Sequence, residues 1–457
     1  MNSSPTLVKS IELLQEARER TLALTADLNE KQMLGQRLSI VNPLRWEIGH
    51  IAWFQEYWVL RHLSHGAPIL DGGDALYDSA QVAHETRWDL PLPSTVKTLS
   101  YMQQVLNQVI DLYDRKEEVG GLTEEEAYFL SLALLHEDMH AEAITYTRQT
   151  LGYAVPRFKV VDKITPAQAD AHFNTGIRNH ASLRDELGDA LIPGGTLILG
   201  STPGKRFAFD NEMPAHEVEV QPFAISRTAV TNKQFAAFVD DEGYQRTDLW
   251  CDEGWHWRES IGAKHPVYWQ LREDKWWRRI FDKLVQLEDH LPVLHINWYE
   301  ADAFCRWARR RLPAEAEWEM AASAEPRRGV NGITEHKRQF PWGDEAPSPD
   351  RANLDWREMG CVDVRSLPAG DSAFGCRQMI GNVWEWTVSD FQPYPGFVAG
   401  PYKEYSEPWF DNHKVLRGGC WTTRSHLIHN AYRNFYTPDR RDVWAGFRTC
   451  ALHTSKE

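Results

Sequence analysis

Apolar residues recur at the spacing of an amphipathic helix through the first third of the chain. Four stretches share this pattern: 6–28, 46–63, 95–115 and 123–152. Residues that favour helix ends stand at their limits, since Ser94 and Thr123 suit N-caps and Gly152 suits a helix end. We therefore predict four long helices packed as a bundle.

The pattern changes from about residue 191. Short apolar runs bounded by Gly and Pro predict strands at 192–201, 216–230 and 415–421. Two stretches keep helical spacing, 231–243 and 297–311. The second half is therefore predicted to be an α+β domain with little regular structure, which makes the whole chain α+β.

These two patterns divide the chain into parts. We predict a helical bundle over 1–155, a linker over 156–190 and an α+β domain over 191–457. The connection from about 66 to 94, between the second and third helices, is long for a compact bundle. Connections of this length are usually functional or mobile.

Composition excludes several classes of function. The 457 residues include 50 Lys and Arg against 65 Asp and Glu, and a net charge of −15 disfavours nucleic-acid binding. No apolar run approaches the length of a membrane span, and the N-terminal stretch lacks the features of a secretory signal. The six Cys form no CxxC pair, which argues against a thiolate zinc site and predicts a reducing, cytoplasmic compartment.

Tryptophan is unusually abundant, with 20 residues of this type. We expect most of them to pack in the cores of the two parts. Others could line a pocket for a cationic or flat ligand, because aromatic ring faces attract ammonium groups.

Histidines supply the clearest chemical signal. His136 and His140 lie four residues apart in the fourth predicted helix, so both imidazoles share one face. The second predicted helix carries His50, and metal sites in bundles are built from facing helices. Nitrogen ligands suit Fe, Zn, Cu or Ni, so the pattern by itself does not select one metal.

Two other interpretations of these histidines stay open at this point. Their apolar neighbours, such as Leu135 and Ile51, are also typical of neutral core histidines satisfied by hydrogen bonds. In addition, the string HEDMH matches the HExxH pattern of zinc hydrolases. In such an enzyme Glu137 would be the general base.

Longer motifs carry a resemblance to a known family. The strings GHIAWFQE and LLHEDMHAE resemble the DinB-like iron-binding domain of ergothioneine-type sulfoxide synthases. The second half resembles the formylglycine-generating-enzyme-like module joined to it, in the strings IPGGTLILG, DNEMPAHEVEV, HINWYEADAFCRWARRRLPAEAEWEMAA, FPWGDE, GNVWEWTVSDF, VLRGGCW and YRNFYTPDRRDVWAGFR. Together these strings cover nearly the whole chain, in the family order.

The resemblance implies a mononuclear non-haem iron enzyme. It implies that Fe(2+) is held by His50, His136 and His140. Members of this family use O2 to attach sulfur to C2 of the imidazole of hercynine, which is Nα-trimethylhistidine. It also implies that Tyr402 is the proton donor beside the iron and that Tyr405 lines the substrate pocket.

The chain departs from the family where the sulfur donor binds. Family members that use γ-glutamylcysteine carry two Arg that clamp its carboxylates. Here the first of these positions is Arg87, but the second is Leu92. A donor with two carboxylates would therefore lose half of its clamp.

Further departures lie on the hercynine side. A family Gln is replaced by Met139, Asn434 is kept, Phe435 replaces Trp, and Tyr436 replaces Asp. The ring at position 436 could compensate for the lost charge through a cation–π contact of about 0.5–2 kcal/mol. The resemblance thus places six residues at the substrate site: Arg87, Met139, Tyr405, Asn434, Phe435 and Tyr436.

These departures predict a changed donor, because the other family motifs are intact. A selenosugar is neutral and needs no double clamp, and the stretch DALYDSAQVAHETRWDLPLPS resembles the subgroup that joins hercynine to a selenosugar. We expect O2-dependent C–Se bond formation on hercynine. The alternative is an ergothioneine-type synthase that uses cysteine or another thiol.

Hypotheses from other classes also remain. The second half alone would fit a formylglycine-generating oxidase, with Cys420 and Cys450 as the required pair of thiols. It would also fit a non-catalytic binding module, since a fold does not dictate chemistry. The three histidines discriminate between these hypotheses, because neither the oxidase nor the module explains them.

Overall fold

The N-terminal part of the protein is a helical bundle, as predicted. The computed structural model describes residues 7–118, 120–157, 188–202, 204, 206–327, 329 and 331–452. The helices of the bundle are α1 Leu7–Thr25, α2 Glu30–Leu34, α3 Leu44–Gln55, α4 Gly73–Tyr77, α5 Thr95–Glu118 and α6 Glu124–Leu151. The four long helices correspond to the four predicted stretches, and α3 packs against both α5 and α6. Most of the predicted linker, at 158–187, lies outside the described residues.

Local capping sets the limits of the long helices. The Thr123 hydroxyl accepts a hydrogen bond from the Glu126 N–H at 3.2 Å, and the Glu126 carboxylate accepts one from the Thr123 N–H at 2.9 Å. Gly152 ends α6 in the left-handed region, with φ at 66°. Ser94 accepts a hydrogen bond from the backbone N–H of residue 97 at the start of α5. These contacts confirm the caps predicted from the sequence.

The chain continues from α3 into a π-helix over Glu56–His62, whose wider turn changes which side chains face the bundle. The buried Glu56 carboxylate anchors this turn by accepting a hydrogen bond from the Tyr101 hydroxyl at 2.6 Å. Trp58 stacks on Phe129 of α6, with ring centres 5.2 Å apart. The π-helix therefore places an indole ring next to the seam between the two parts.

The second part is α+β and is built from short elements, as predicted. Its helices are α7 Asn232–Asp240, α8 Asp252–Ile261, α9 Trp298–Trp307 and α10 Glu315–Ser323. Its strands are β1 Asp189–Ile192, β2 Gly195–Leu199, β3 His216–Val220, β4 Phe223–Ser226, β5 Trp269–Arg272, β6 Lys275–Ile280, β7 Lys283–Gln286, β8 Arg310–Arg311, β9 Ala324–Pro326, β10 Ile333–Lys337, β11 Trp384–Asp390, β12 Lys414–Arg417, β13 Asn434–Tyr436, β14 Ala445–Gly446 and β15 Cys450–Ala451. The helices α8 and α10 and the strands β5–β11 and β13–β15 were not predicted, and the helix expected over 297–311 ends at Trp307, with β8 in its last residues.

The strands of this part form small sheets. One four-stranded sheet has the order β1-β4-β15-β8, and another has the order β13-β12-β11-β14. In the second sheet, β11 pairs antiparallel with β12 and parallel with β14. The strand β13 carries three residues of the predicted site, so this sheet brings them to the seam.

Buried guanidinium–carboxylate pairs hold the second part together. The Arg417 side chain is fully buried and pairs with Glu315 at 2.7 Å and with Glu319. Arg448 donates to both oxygens of Glu385, at 2.6 and 2.8 Å. Breaking such pairs is costly because a charge would remain unpaired in the interior. These contacts fix a region that has little regular secondary structure.

Helix α6 joins the two parts through hydrogen bonds along its length. Its Thr145 hydroxyl accepts a hydrogen bond from the Trp356 indole at 3.0 Å. Two turns earlier, Asp138 pairs with His426 at 2.6 Å. One turn later, the Gln149 amide donates to the backbone carbonyl of residue 279 at 3.1 Å. One helix thus contributes to the bundle core and to the interface at the same time.

Within the described ranges, no helix combines the length and the apolarity that crossing a lipid bilayer requires. The six Cys residues are all free thiols. Cys420 lies beside Thr422 near the seam, whereas Cys450 lies in β15 and packs in a separate hydrophobic cluster with Ile225.

A buried ion pair connects α1 to α6. Arg18 donates to both oxygens of Glu137, at 2.9 and 3.2 Å, and to the Gln55 side chain at 2.7 Å. The Gln55 amide donates in turn to Glu137 at 2.7 Å. The Glu137 carboxylate is therefore fully engaged within the bundle.

We expect Arg18→Ala to lower the free energy of unfolding by about 3–5 kcal/mol, because it leaves the buried Glu137 charge unpaired. Urea denaturation followed by circular dichroism measures this change. The exposed pair between Arg37 and Asp89 is the matched control, and Arg37→Ala should have little effect. Equal stability of both variants would show that the buried pair is not important for the bundle.

Candidate metal centre and substrate pocket

The three predicted ligands meet where α3 faces α6. His50 comes from α3, and His136 and His140 come from successive turns of α6. One ligand atom from each residue lies within 4.8 Å of those of the other two. The Nε2 atoms of His136 and His140 are 3.1 Å apart. The imidazoles therefore converge on one small space.

Contacts on the far side of the rings decide which nitrogen faces this space. His50 donates from Nδ1–H to the carbonyl of Tyr77 at 2.7 Å, since a carbonyl can only accept. His140 Nδ1 bonds to the Glu47 carboxylate. A ligand imidazole in proteins usually makes such a second contact, which fixes its tautomer. His136 instead stacks on Phe54, with ring centres 3.6 Å apart.

The short α4 helix supports this arrangement from outside. Gly49 packs directly on the Tyr77 ring, and a Cβ at position 49 would overlap that ring. The absence of a side chain at this position therefore lets Tyr77 approach α3 and place its carbonyl next to His50. Trp46, one turn earlier, stacks on the His50 ring at 4.7 Å.

Electrostatics favours neutral rings at His50 and His136 and an ionised carboxylate at Glu47. Burial, with the neighbouring His140, lowers the pKa of His50 to about 3. Burial also holds the pKa of His136 well below its usual value. Burial alone would raise the pKa of Glu47, but the contact with His140 outweighs it and lowers that pKa to about 2. Deprotonated nitrogens are the form that binds a metal ion.

The geometry fits a single metal ion. Two nitrogens that each lie about 2.1 Å from one ion, at close to a right angle, are separated by roughly 3 Å. The two Nε2 atoms on α6 have this separation. At this separation the two nitrogens share one proton or bind one cation. The donor set therefore suits a borderline transition metal, as predicted.

A cavity of about 650 Å³ opens from this centre along the seam between the two parts. This volume lies in the range of small-molecule sites. All ten residues that the sequence analysis placed at the site line the cavity: His50, His136, His140, Tyr402, Arg87, Met139, Tyr405, Asn434, Phe435 and Tyr436.

Two tyrosines from the second part reach over the histidines. The ring centre of Tyr402 lies 6.0 Å from that of His136. Burial and the nearby Glu404 carboxylate raise the pKa of Tyr402, so its phenol keeps its proton at neutral pH. Tyr405 stacks beside Tyr402 at 6.0 Å and donates its hydroxyl to the Met139 sulfur at 3.5 Å.

Arg87 lies on the opposite wall of the cavity and is buried. Its guanidinium stacks on the Trp46 ring at 3.9 Å and donates to the Asn42 side chain at 2.7 Å. It also donates to the backbone carbonyl of Val82, while its Nε has no partner among the described residues. Leu92, the second position of the expected clamp, does not line the cavity.

Comparisons with known proteins agree with this architecture. The DinB superfamily model matches residues 13–144, and the sulfatase-modifying factor enzyme 1-like domain matches residues 179–452. The hercynine oxygenase of Mycolicibacterium smegmatis is 32% identical over 94% of this chain and 96% of its own length. That of Mycobacterium tuberculosis is 33% identical over 95% and 96%. The formylglycine-generating enzyme of Streptomyces coelicolor is 32% identical but matches only 59% of this chain.

The chain belongs to the hercynine oxygenase family.

In this family member, the structure adds pocket residues that the sequence analysis missed. Glu142, Tyr146, Trp384 and Tyr432 line the cavity beside the histidines. Glu142 is 8% exposed and accepts hydrogen bonds from the Trp384 indole at 2.7 Å and the Thr423 hydroxyl at 2.8 Å. Helical spacing from Met139, seven residues earlier, could have indicated Tyr146, but no sequence signal indicates a carboxylate held by Trp384.

The cation–π contact expected between Tyr436 and the substrate has a competitor within the protein. The Arg440 guanidinium lies over the Tyr436 ring at 5.0 Å. The same guanidinium forms an ion pair with Asp442 at 2.7 Å. One face of Tyr436 is therefore already in contact with a cation of the protein. The structure does not support the hydrolase interpretation. Glu137 is fully buried against Arg18 and does not line the cavity, so it is not placed to act as a general base there.

We expect Glu47→Gln to weaken Fe(II) binding about 10–100-fold, because His140 loses the carboxylate that orients its ring. Anaerobic titration against a chelator measures the affinity, and circular dichroism checks the fold. Glu30→Gln removes a carboxylate from the exposed pair with Arg45 and serves as the control. Wild-type affinity in Glu47→Gln would contradict the role of this contact.

Proposed function

We propose that this protein is a selenoneine synthase, an iron(II) enzyme that uses O2 to join hercynine to a selenosugar. The observation that carries the proposal is a three-histidine centre that opens into one cavity, whose lining includes the buried Glu142 carboxylate and, among the described residues, one guanidinium without a carboxylate partner, that of Arg87. The buried carboxylate suits a quaternary ammonium substrate. The single unpaired guanidinium suits a donor without a pair of carboxylates.

Glu142 is the strongest support for hercynine. Its carboxylate is buried and accepts hydrogen bonds only from neutral donors, and it pairs with no cation among the described residues. A buried charge without a counterion is unfavourable, so a cationic ligand would be bound strongly there. The aromatic rings of Tyr146, Trp384 and Tyr432 line the cavity near it and add faces that attract an ammonium group.

The protein groups have separate roles in this proposal. The rings of His50, His136 and His140 hold Fe(2+), which would supply the activation of O2. Tyr402 donates a proton from its hydroxyl, which its raised pKa keeps protonated. Asn434, Phe435 and Tyr436 bound the hercynine side, while Arg87 faces the donor.

The overall reaction balances with O2 as the oxidant. The imidazole C2–H and the Se–H of the donor each lose hydrogen, and a C–Se bond forms. One oxygen atom of O2 goes to selenium as a selenoxide and the other leaves as water. Selenoneine forms from this adduct when water displaces the sugar from selenium and an external thiol reduces the remaining selenenic acid with two electrons, forming a disulfide and water.

The wall around Arg87 supports a donor with few negative charges. Two cationic residues line the cavity, Arg87 and Arg424. Arg424 is already paired with Glu16, with Asp355 at 3.0 Å and with Asp138 at 3.5 Å. A donor with two carboxylates would therefore find only one available guanidinium.

A thiol amino acid is the second candidate donor. The Arg87 guanidinium donates to neutral acceptors and makes no ion pair among the described residues, so it is available to one ligand carboxylate. Cysteine has one carboxylate, and an ergothioneine-type reaction with cysteine would use the same centre. The oxidase hypothesis has no such support, because Cys420 and Cys450 lie in separate clusters and cannot act as a pair without rearrangement.

The donor is tested by anaerobic iron loading followed by hercynine, O2 and one donor at a time. We expect the selenosugar to give a C–Se product at a kcat/KM at least tenfold above cysteine or γ-glutamylcysteine, measured by mass spectrometry. Metal analysis should find about one iron per chain. Faster turnover with cysteine would favour the thiol alternative, and no product with any donor would contradict both candidates.

We expect Glu142→Gln to raise the KM for hercynine about tenfold or more, since a charged contact is worth about 1.5–3 kcal/mol. Tyr402→Phe is the matched control, because it should keep hercynine binding while it slows or redirects the oxygen chemistry. Calorimetric binding of hercynine to both variants separates the two effects. Equal hercynine affinity in Glu142→Gln and wild type would exclude Glu142 as the counterion.

A further inference from the structure

The outer end of the cavity lies between two loops. One loop, at 78–87, belongs to the long connection of the bundle, and the other, at 402–409, belongs to the second part. Both loops contribute to the surroundings of Tyr402. Any donor that reaches the histidines from this end must pass between them.

Trp409 forms an exposed aromatic surface at this end. Its side chain is 41% exposed although it lines the cavity, and such exposure of a large ring is unusual for a core residue. The indole N–H donates to the backbone carbonyl of Glu404 at 3.1 Å, which fixes the ring relative to the loop. His413 contacts Trp409 edge-on, with ring centres 5.3 Å apart. The Trp409 ring is thus held in place, and part of its surface stays exposed to solvent.

A carboxylate accompanies this ring. The half-buried Glu404 lines the cavity and makes no side-chain hydrogen bond or ion pair with any residue that the structure describes. Asp78 of the other loop does not line the cavity, because its carboxylate accepts hydrogen bonds from the Ala80 N–H and the Gln81 side chain. The donor end therefore presents the Glu404 carboxylate as an acceptor without a partner among the described residues.

These groups match one class of ligand better than others. Carboxylates and hydroxyls accept hydrogen bonds from the hydroxyl groups of a sugar, and an exposed indole covers the C–H face of a sugar ring. A thiol with two carboxylates, such as γ-glutamylcysteine, would bring a carboxylate against Glu404, and like charges in a partly buried site repel. A neutral polyhydroxylated ring meets no such penalty.

We propose that Trp409 and Glu404 form a sugar-binding platform that selects the donor at the outer end of the cavity. The platform rests on the proposed function for the identity of the reacting atom, but the binding of a sugar ring is independent of it. Glu404 accepts hydrogen bonds from vicinal hydroxyls, and Trp409 packs against the ring. The chalcogen substituent then points inward past Tyr402.

The probe is 1-thio-β-D-glucose, a neutral sugar thiol, titrated calorimetrically into the anaerobic iron-loaded protein. We expect Trp409→Ala and Glu404→Gln each to weaken its binding about tenfold, while Trp409→Phe, which keeps an aromatic face, stays within about threefold of wild type. Hercynine affinity should not change in any of these variants. Glu407→Gln is the matched control, since this acid is exposed and does not line the cavity.

The outcomes distinguish the platform from the reaction. Wild-type affinity for the thiosugar in both Trp409→Ala and Glu404→Gln would overturn the platform, even if a C–Se product forms. Loss of hercynine binding in the same variants would also overturn it, because the effect would then be general. Thiosugar binding that depends on both residues, without product from any sugar donor, would keep the platform and reject the selenosugar reaction.

Discussion

Three imidazole nitrogens that face one another in a buried space impose the constraint on which the site depends. The outer nitrogens of His50 and His140 are committed to the Tyr77 carbonyl and the Glu47 carboxylate, so neither ring can turn away. The Nε2 atoms of His136 and His140 lie 3.1 Å apart, a distance at which they share a proton or bind one cation. The contacts of the bundle therefore hold the rings in a position that suits metal binding, and metal affinity and local order are coupled.

Helix α6 extends this constraint to the second part. It carries two of the imidazoles, and two residues after His140 it presents Glu142 to Trp384 and Thr423. Any shift of the second part along the seam would change the position of Glu142 relative to the histidines. The cavity is consequently a product of both parts, and its shape depends on hydrogen bonds that cross between them.

The separation along the chain between interacting residues explains which features could be predicted from the sequence. The bundle was predictable because helical spacing and caps such as Thr123 and Gly152 act over a few residues. The histidine pair was predictable for the same reason. Glu142 was not, since an acidic residue on a helix normally faces water and its partners lie 242 and 281 residues away. In the second part, α7 and α9 were recognised, but α8, α10 and most of the strands were not, because elements of two to ten residues show few repeats of the hydrophobic pattern.

The placement of groups around the cavity has a consequence for how such a protein can diversify. The imidazoles lie on packed helices, whose substitution would disturb the bundle core. The residues that face the outer end lie on the two loops at 78–87 and 402–409, where side chains can be exchanged without moving those helices. Evolution can thus change which donor binds at the outer end of the cavity, while the three histidines at its inner end stay the same.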